Sequence, residues 1–299
     1  MKKEFDVNQG HGDHNDCLCE PGKGEEFLAN WIPRSIAEGE LIGVTRQAVA
    51  CDFGERLPKS MPMLYLGDMK HSPRLVILLA VNEAGRENTL VSAYPECDGA
   101  EVEVVLREIH EWCNGVEATL EGTMLGEGDD ERDVAFFDTR YALHKGKYVI
   151  GNRSKFKLAA LCYDDGEILP EAERKIVVSG ERAERIYRAL GQEPKREMDG
   201  AVKPWTADQS KGTAYWSSSA AYPDDAFFQS PVFERVGLAK AFDLKYLVFS
   251  IAIARSISRD DVEVRIPLYA RSDIFAVRPH KGDPIRGHMW LHGYLVDEI

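Results

Sequence analysis

The sequence lacks any apolar run long enough to cross a lipid bilayer as a helix. Its longest runs are LVILLAV at 75–81 and YLVFSIAIA at 246–254, well short of the ~20 residues that a membrane-spanning helix needs. The first residues, MKKEFDVNQGHGDHND, also lack the apolar core of a secretory signal peptide. We therefore expect a cytoplasmic protein without membrane association, in which both apolar runs form buried strands.

Cysteine and basic residues are also scarce. Six cysteines among 299 residues are too few for a secreted scaffold held by disulfides, so we expect free thiols. Lys and Arg number 37 against 50 Asp and Glu, which leaves a net charge of −13. A net negative charge repels the phosphates of nucleic acids, so direct nucleic-acid binding is not expected. An acidic surface could instead occupy the basic, nucleic-acid-binding surface of a partner protein.

The common local signatures of enzymes are missing. The chain contains no G-x-S-x-G nucleophile elbow, no Walker A loop, no G-x-G-x-x-G motif after a strand and no protein-kinase motif set. Carboxylate pairs of the glycosidase type leave no local motif. The sequence therefore disfavours an enzyme without excluding one.

What the sequence does contain is a series of short β-type runs between turn residues, such as MPMLYL (61–66), RLVILLAV (74–81) and KFKLAALCY (155–163). Helical spacing of apolar residues predicts one helix over 99–114, after a D-x-x-E capping box, and a second over 180–190. We expect a mainly β protein, β-rich α+β in class.

Composition along the chain predicts two domains. The segments are an N-terminal arm with a short docking helix that ends at Pro33 (1–35), a β-rich first domain (36–191), a polar linker with two prolines (192–212) and a β-rich second domain (213–299). We expect a binding surface where the two predicted domains meet.

A degenerate internal repeat of about fifty residues relates the two β-rich regions. GKYVIG (146–151) and GDPIRG (282–287) both read G-x-x-x-x-G, and each lies between apolar strands in the same order. Chance similarity is the alternative, because the motif is weak. The repeat predicts two small antiparallel barrel- or sandwich-like units, whose glycines at strand bends are similar to those of OB-like barrels.

The segment HGDHNDCLCE (11–20) offers His11, His14, Cys17 and Cys19. Imidazole nitrogen and thiolate sulfur are the ligands that zinc prefers. Known zinc sites draw ligand pairs from two separated segments, so this spacing is imperfect. The alternatives are a zinc site completed by a distant ligand and a flexible arm without metal.

Aromatic residues concentrate in the segment GTAYWSSSAAYPDDAFFQSPV, where we single out Tyr215, Trp216, Tyr222, Phe227 and Phe228. Rings among small polar residues are typical of recognition surfaces. The alternative is that they seal one domain against the other. Trp290 extends this set, because His288, Trp290 and His292 share one face of a predicted strand.

These patterns predict a non-catalytic binding protein that recognises a protein partner or small ligand at the domain junction and the aromatic loop 213–231. One alternative is a metal-dependent hydrolase that uses the N-terminal His/Cys cluster. The other is the acidic protein that occupies a basic partner surface.

Overall fold

Strands make up most of the protein, which confirms the predicted mainly β class. The computed structural model describes residues 14–20, 22–46, 49–50, 56–57, 62–81, 89–112, 114–124, 131–218, 220–255 and 263–296. The strands are β1 (Glu40–Thr45), β2 (Val49–Ala50), β3 (Arg56–Leu57), β4 (Met63–Gly67), β5 (Arg74–Ala80), β6 (Thr89–Glu96), β7 (Ala100–Glu111), β8 (Ala118–Met124), β9 (Arg132–Asp138), β10 (Arg153–Cys162), β11 (Glu167–Ile168), β12 (Lys175–Val178), β13 (Trp205–Asp208), β14 (Ala214–Ser217), β15 (Asp225–Pro231), β16 (Glu234–Ala241), β17 (Leu244–Arg255), β18 (Glu263–Arg271) and β19 (Pro284–Leu295). The α-helices are α1 (Gly24–Glu38), α2 (Tyr141–His144) and α3 (Gly180–Ala189), and 3-10 turns cover Asn15–Leu18, Lys145–Lys147, Glu171–Glu173 and Gln209–Lys211.

Five strands close into a barrel in the order β7, β8, β9, β19, β10. All neighbours are antiparallel except β9 and β19, which run parallel where Phe137 and Asp138 face His292 and Gly293. Closure brings β19 against β10 so tightly that a Cβ on Gly293 would lie 2.4 Å from the Lys157 carbonyl oxygen. Glycine at this position is therefore a condition of barrel closure.

Strand β7 overturns the helix predicted over 99–114. Val102, Val104 and Leu106 are buried in the barrel, while Glu101 and Glu103 between them are exposed. This strict alternation is the period of a strand, and the valines favour extended backbone. The apolar spacing that resembled a helix arises because the alternation slips at a bulge between Leu106 and Glu108. The second predicted helix, by contrast, is confirmed as α3.

Strands β10 and β19 also belong to a second curved sheet. From β10 this sheet continues through β18, β17 and β16, and from β19 it continues through β15 and β14. Only two residues separate β15 from β16, so the two ends of this sheet lie close to each other. The two segments of the predicted repeat pair with each other in the same way. Strand β9 of the first segment runs parallel to β19 of the second, and β18 of the second runs parallel to β10 of the first.

Hydrogen-bonded strands connect the segments on either side of the predicted linker. Strand β19, from the predicted second domain (213–299), is hydrogen-bonded to β9 and β10 of the predicted first domain (36–191). Within the predicted linker (192–212), strand β13 pairs with β12. Composition reports local polarity, whereas the pairings of β19 with β9 and β10 join residues more than a hundred positions apart in the sequence.

A separate four-stranded sheet, β1-β4-β5-β6, packs together with α1 against one side of the barrel. Helix α1 does not end at Pro33 as predicted but continues through it to Glu38. Packing holds it, because Phe27 and Trp31 contact the ring of Phe242 edge-on, with ring centroids 5.0 and 5.2 Å away. Tertiary contacts therefore outweigh the helix-breaking tendency of proline. No helix among the described residues has the length and hydrophobicity to span a bilayer.

The hairpin between β16 and β17 turns on Phe242 and Asp243, whose φ angles are 54° and 61°. Two-residue hairpin turns of this kind favour glycine, because a Cβ is strained at positive φ. We expect Asp243→Gly to raise the free energy of unfolding by about 0.5–1 kcal/mol. Urea denaturation measures the change. The control is Asp243→Ala, which keeps the Cβ and the strain and is expected to bring no gain.

Candidate functional site

The described part of the N-terminal segment is a buried plug. Cys17, Leu18 and Cys19 are all fully or almost fully buried. The ring of His14 stacks on Trp290, with centroids 4.3 Å apart, and its Nδ1 lies 2.8 Å from the Tyr163 hydroxyl oxygen. Residues 14–20 are thus tied to the barrel body, whereas His11 lies outside the described residues.

A chain of buried polar groups fastens this plug. The Tyr163 hydroxyl donates to Asp225 at 2.5 Å, and the Trp290 indole N–H donates to Asp224 at 2.8 Å. Burial raises the pKa of Tyr163, and the nearby Cys17 and Asp225 raise it further. The tyrosine therefore remains a neutral hydrogen-bond donor, and the network is typical of a structural clasp.

The predicted zinc ligands do not form the clearest metal-binding geometry in the described chain. Only one group of three His, Cys, Asp or Glu residues among the described ranges brings its ligand atoms within 4.8 Å of one another, and it consists of Glu108, His110 and Glu121. His14, Cys17 and Cys19 are not in it. Zinc at the N-terminal segment stays a prediction without structural support.

Two predicted contact residues belong to the core. Phe228 lies inside the barrel cluster, and Trp290 is buried between His14 and His292. His292 accepts a hydrogen bond from the Cys97 backbone N–H at 2.9 Å, and burial lowers its pKa to about 4. A neutral, fully buried imidazole beside a buried indole offers no surface to a partner.

The other predicted aromatic residues lie on or near the surface. Trp216 is 52% exposed and stacks on Phe227 with centroids 4.4 Å apart. Tyr222 is 41% exposed and stacks on Trp112 at 5.9 Å. The Tyr215 hydroxyl hydrogen-bonds the backbone of β9 at Ala135. Packed rings beneath thus hold the exposed ones in place.

Two of these rings, Tyr215 and Trp216, form one wall of a cleft of about 640 Å³. Strands β15 and β9 pair with the same edge of β19, β15 along residues 284–290 and β9 along residues 292–293. The cleft lies where these two strands separate from each other. Its lining residues are Arg107, Glu108, Glu121, Gly122, Asp133, Val134, Ala135, Tyr215, Trp216, Ser217, Ser218, Ala220 and Pro223. We name this space the aromatic cleft.

Carboxylates dominate the opposite wall of the aromatic cleft. Glu108 on β7 faces Glu121 directly across the strand pair, and like charges in such a pair repel each other. His110 Nε2 lies 3.0 Å from Glu121 Oε1 and 3.7 Å from Glu108 Oε2. Arg107 donates to Glu131 and Asp133 at 2.9 and 2.8 Å, so its charge is already balanced.

Sequence reasoning missed this acidic group because it placed His110 on a helix. As a strand, the segment E-x-H puts Glu108 and His110 on one face, since side chains alternate with period two. That face is the outer one because the bulge after Leu106 shifts the alternation. The valine-glutamate alternation upstream is the signal that would have found it.

A second cavity of about 470 Å³ lies between α1, the β4–β5 turn and the β16–β17 hairpin. Its charged lining mixes both signs, with Arg34, Lys240 and Lys245 near Glu38 and Asp68. The aromatic cleft is larger, and its lining combines two of the predicted aromatic residues with three carboxylates and one arginine, Arg107. We therefore place the candidate functional site there.

No protein-family model, curated protein or solved structure matches the chain.

Proposed function

We propose that the protein is a non-catalytic binding protein that docks a basic segment of a protein partner in the aromatic cleft. The observation that carries the proposal is the exposed ring of Trp216 on one wall and the facing carboxylates Glu108 and Glu121 on the other. A lysine or arginine side chain matches both walls.

The aromatic wall supports this choice through its rigidity. Trp216 is held by its stack on Phe227, and Tyr215 by hydrogen bonds between its hydroxyl and the backbone of β9, so little conformational freedom is lost on binding. The face of an indole attracts a cation by about 0.5–2 kcal/mol, more as water is excluded. Tryptophan is also among the residues that most often dominate binding energy.

The charge of the protein supports a basic partner. The whole chain carries −13, and the carboxylate pair of Glu108 and Glu121 concentrates negative charge in the cleft. Such complementarity raises association rates and selects against acidic competitors. Binding should therefore weaken as salt concentration rises.

The test uses two terminally blocked peptides, an alternating Gly/Arg pentapeptide and the matching Gly/Glu pentapeptide, titrated against the full chain by calorimetry. We expect the arginine peptide to bind and Trp216→Ala to weaken its binding about 30-fold, because loss of a dominant aromatic costs ~2 kcal/mol. Leu238→Ala, an exposed apolar residue on β16, is the matched control and should leave binding unchanged. Equal binding of both peptides, or of wild type and Trp216→Ala, would contradict the proposal.

We further infer a cytoplasmic location, an OB-like geometry of the barrels and an internal repeat. Cys97 and Cys162 are buried and form no disulfide, which supports a reducing compartment. The reciprocal pairing of β9 with β19 and of β18 with β10 supports the repeat. The OB-like geometry rests on the sequence comparison alone.

A further inference from the structure

We propose that Glu108, His110 and Glu121 form a binding site for one divalent transition-metal ion, with Zn²⁺ as the preferred occupant. The site lies on the outer face of the closed barrel, and two of its residues line the aromatic cleft. It differs from the N-terminal His/Cys cluster in sequence and in place. Metal binding here does not depend on the docking of a peptide.

The distances between the ligand atoms suit a small cation. His110 Nε2 lies 3.0 Å from Glu121 Oε1 and 3.7 Å from Glu108 Oε2, and the three ligand atoms all lie within 4.8 Å of one another. Tetrahedral zinc, bound at ~2.0–2.2 Å, holds its ligands roughly 3.3 Å apart. Small rotations of the glutamate side chains therefore suffice to close the shell.

The scaffold holds two ligands firmly and leaves the third adjustable. The side chain of His110 is 8% exposed and that of Glu121 is 23% exposed, whereas that of Glu108 is 62% exposed. All three residues project from paired strands of the closed barrel, and rigid elements give precise sites. A buried imidazole directed at two carboxylates distinguishes this group from an ordinary patch of surface acids.

Electrostatics favours an ion at this position. Glu108 and Glu121 face each other across an antiparallel pair, where like charges destabilise the sheet. A divalent cation between them converts that repulsion into attraction. Stability should therefore rise when metal binds, since a ligand that binds only the folded state stabilises it.

The donor set also indicates which metal fits. One imidazole nitrogen with two carboxylate oxygens suits zinc or manganese, whereas calcium and magnesium prefer oxygen ligands alone. Among the common divalent ions, zinc binds such mixed sites more strongly than manganese. Three protein ligands leave a fourth position for water or an exchangeable ligand, which reaches the site through the cleft.

The experiment measures Zn²⁺ and Ca²⁺ binding to the full chain by calorimetry after removal of metal with a chelator. We expect one Zn²⁺ per chain, weaker binding of Ca²⁺, and a Zn²⁺ affinity at least ~100-fold lower in His110→Ala, since a direct ligand contributes more than the 10–100-fold typical of its supporting partners. Glu108→Gln changes an exposed side chain and is expected to fold normally, so it supplies an independent second variant with a loss of at least ~10-fold.

The matched control is His71→Ala. The Nδ1 of His71 lies 2.6 Å from Asp68 Oδ2. The variant therefore removes an exposed imidazole beside a single carboxylate and should not change Zn²⁺ affinity. Absence of Zn²⁺ binding, unchanged affinity in His110→Ala and Glu108→Gln, or tighter binding of Ca²⁺ than of Zn²⁺ would overturn the site. Loss of binding on replacing Cys17 and Cys19 instead would assign the metal to the N-terminal segment.

One consequence rests on the proposed function. Zn²⁺ and a basic side chain would compete for the carboxylates of Glu108 and Glu121, so saturating Zn²⁺ should weaken binding of the arginine peptide by at least ~10-fold. The two ideas fail separately. A chain that binds Zn²⁺ but no peptide contradicts the proposed function alone, and a chain that binds peptide but no Zn²⁺ contradicts the metal site alone.

Discussion

Replacing Glu96 by glutamine is expected to lower the free energy of unfolding by about 3–5 kcal/mol, the usual cost of breaking a buried ion pair from one side. Glu96 ends β6 and is completely buried. Arg74 Nε donates to its Oε1 at 2.9 Å, Arg140 Nη2 donates to the same oxygen at 2.7 Å, and Thr139 Oγ1 donates to Oε2 at 2.6 Å. The carboxylate thereby joins the four-stranded sheet to the end of barrel strand β9.

The size of the effect follows from what the variant leaves behind. Glutamine keeps the volume of Glu96 but removes its charge, so the guanidinium of Arg74, with a side chain 1% exposed, loses its buried counter-ion. Asp98, which Arg74 also contacts at 2.8 Å, is largely exposed and screened by water. The buried positive charge of Arg74 then lacks an adequate counter-charge. Local separation of the four-stranded sheet from the barrel would let water reach this charge, so the folded state is destabilised.

The pH dependence gives an independent check on the same cluster. Burial tends to raise the pKa of Glu96, but Arg140 and Arg74 outweigh it and lower the pKa to about 2. Because the folded pKa is below the ordinary value, this stabilisation is present above about pH 4.5 and is lost as pH falls towards 2. Wild type should lose stability across that window, and Glu96→Gln should lose less.

Urea denaturation at neutral pH and near pH 3 measures both effects. Glu101→Gln is the matched control, since Glu101 is an exposed partner of Lys157 and surface pairs contribute only about 0–1 kcal/mol. A loss below 1 kcal/mol in Glu96→Gln would show that the two arginines find other partners without it.

How far the fold could be predicted depends on the range of each interaction. The apolar runs of β5 and β10 are local features, and the mainly β class followed from runs of this kind. Barrel closure depends on β19 meeting β9 and β10, more than a hundred residues away in the chain. No local pattern encodes that pairing, so it could not be predicted although strands on both sides of 192–212 were expected.

The candidate site shows the same limit. Trp216 is 52% exposed and Tyr222 is 41% exposed, and contact of these rings with a partner stays a prediction. Phe228, in the same segment, is buried in the hydrophobic core because β15 alternates its faces. The valine-glutamate alternation of β7 indicates a strand that could place Glu108 and His110 on one face, but the pairing of Glu108 with Glu121 depends on the bulge and the register, which no local pattern gives.

Asp138 should respond to pH in the opposite sense from Glu96. It is buried at the end of β9 and accepts hydrogen bonds from the Tyr148 hydroxyl and, at 2.9 Å, from the Arg140 backbone N–H. Burial raises its pKa to about 7, against the lowering influence of these two hydrogen bonds and of the Arg140 charge, while Glu96 adds to the rise.

The sign of the effect follows from proton counts. Below about pH 4 the carboxyl is protonated in both folded and unfolded chains, so it imposes no penalty. Between about pH 4 and 7 the unfolded chain releases its proton while the folded chain retains it, so stability falls as pH rises. Above about pH 7 the folded chain carries a buried charge whose total cost is on the order of 4 kcal/mol.

Asp138→Asn is therefore expected to match wild type near pH 4 and to exceed it near pH 8, by up to about 4 kcal/mol in the free energy of unfolding. The amide oxygen can still accept from the Arg140 backbone N–H, so the strand end keeps its geometry. Denaturation at both pH values measures the difference, and Asp133→Asn, an exposed carboxylate on the same strand, should show almost none. A gain of equal size at both values would mean that packing, and not ionisation of Asp138, sets the stability of this strand end.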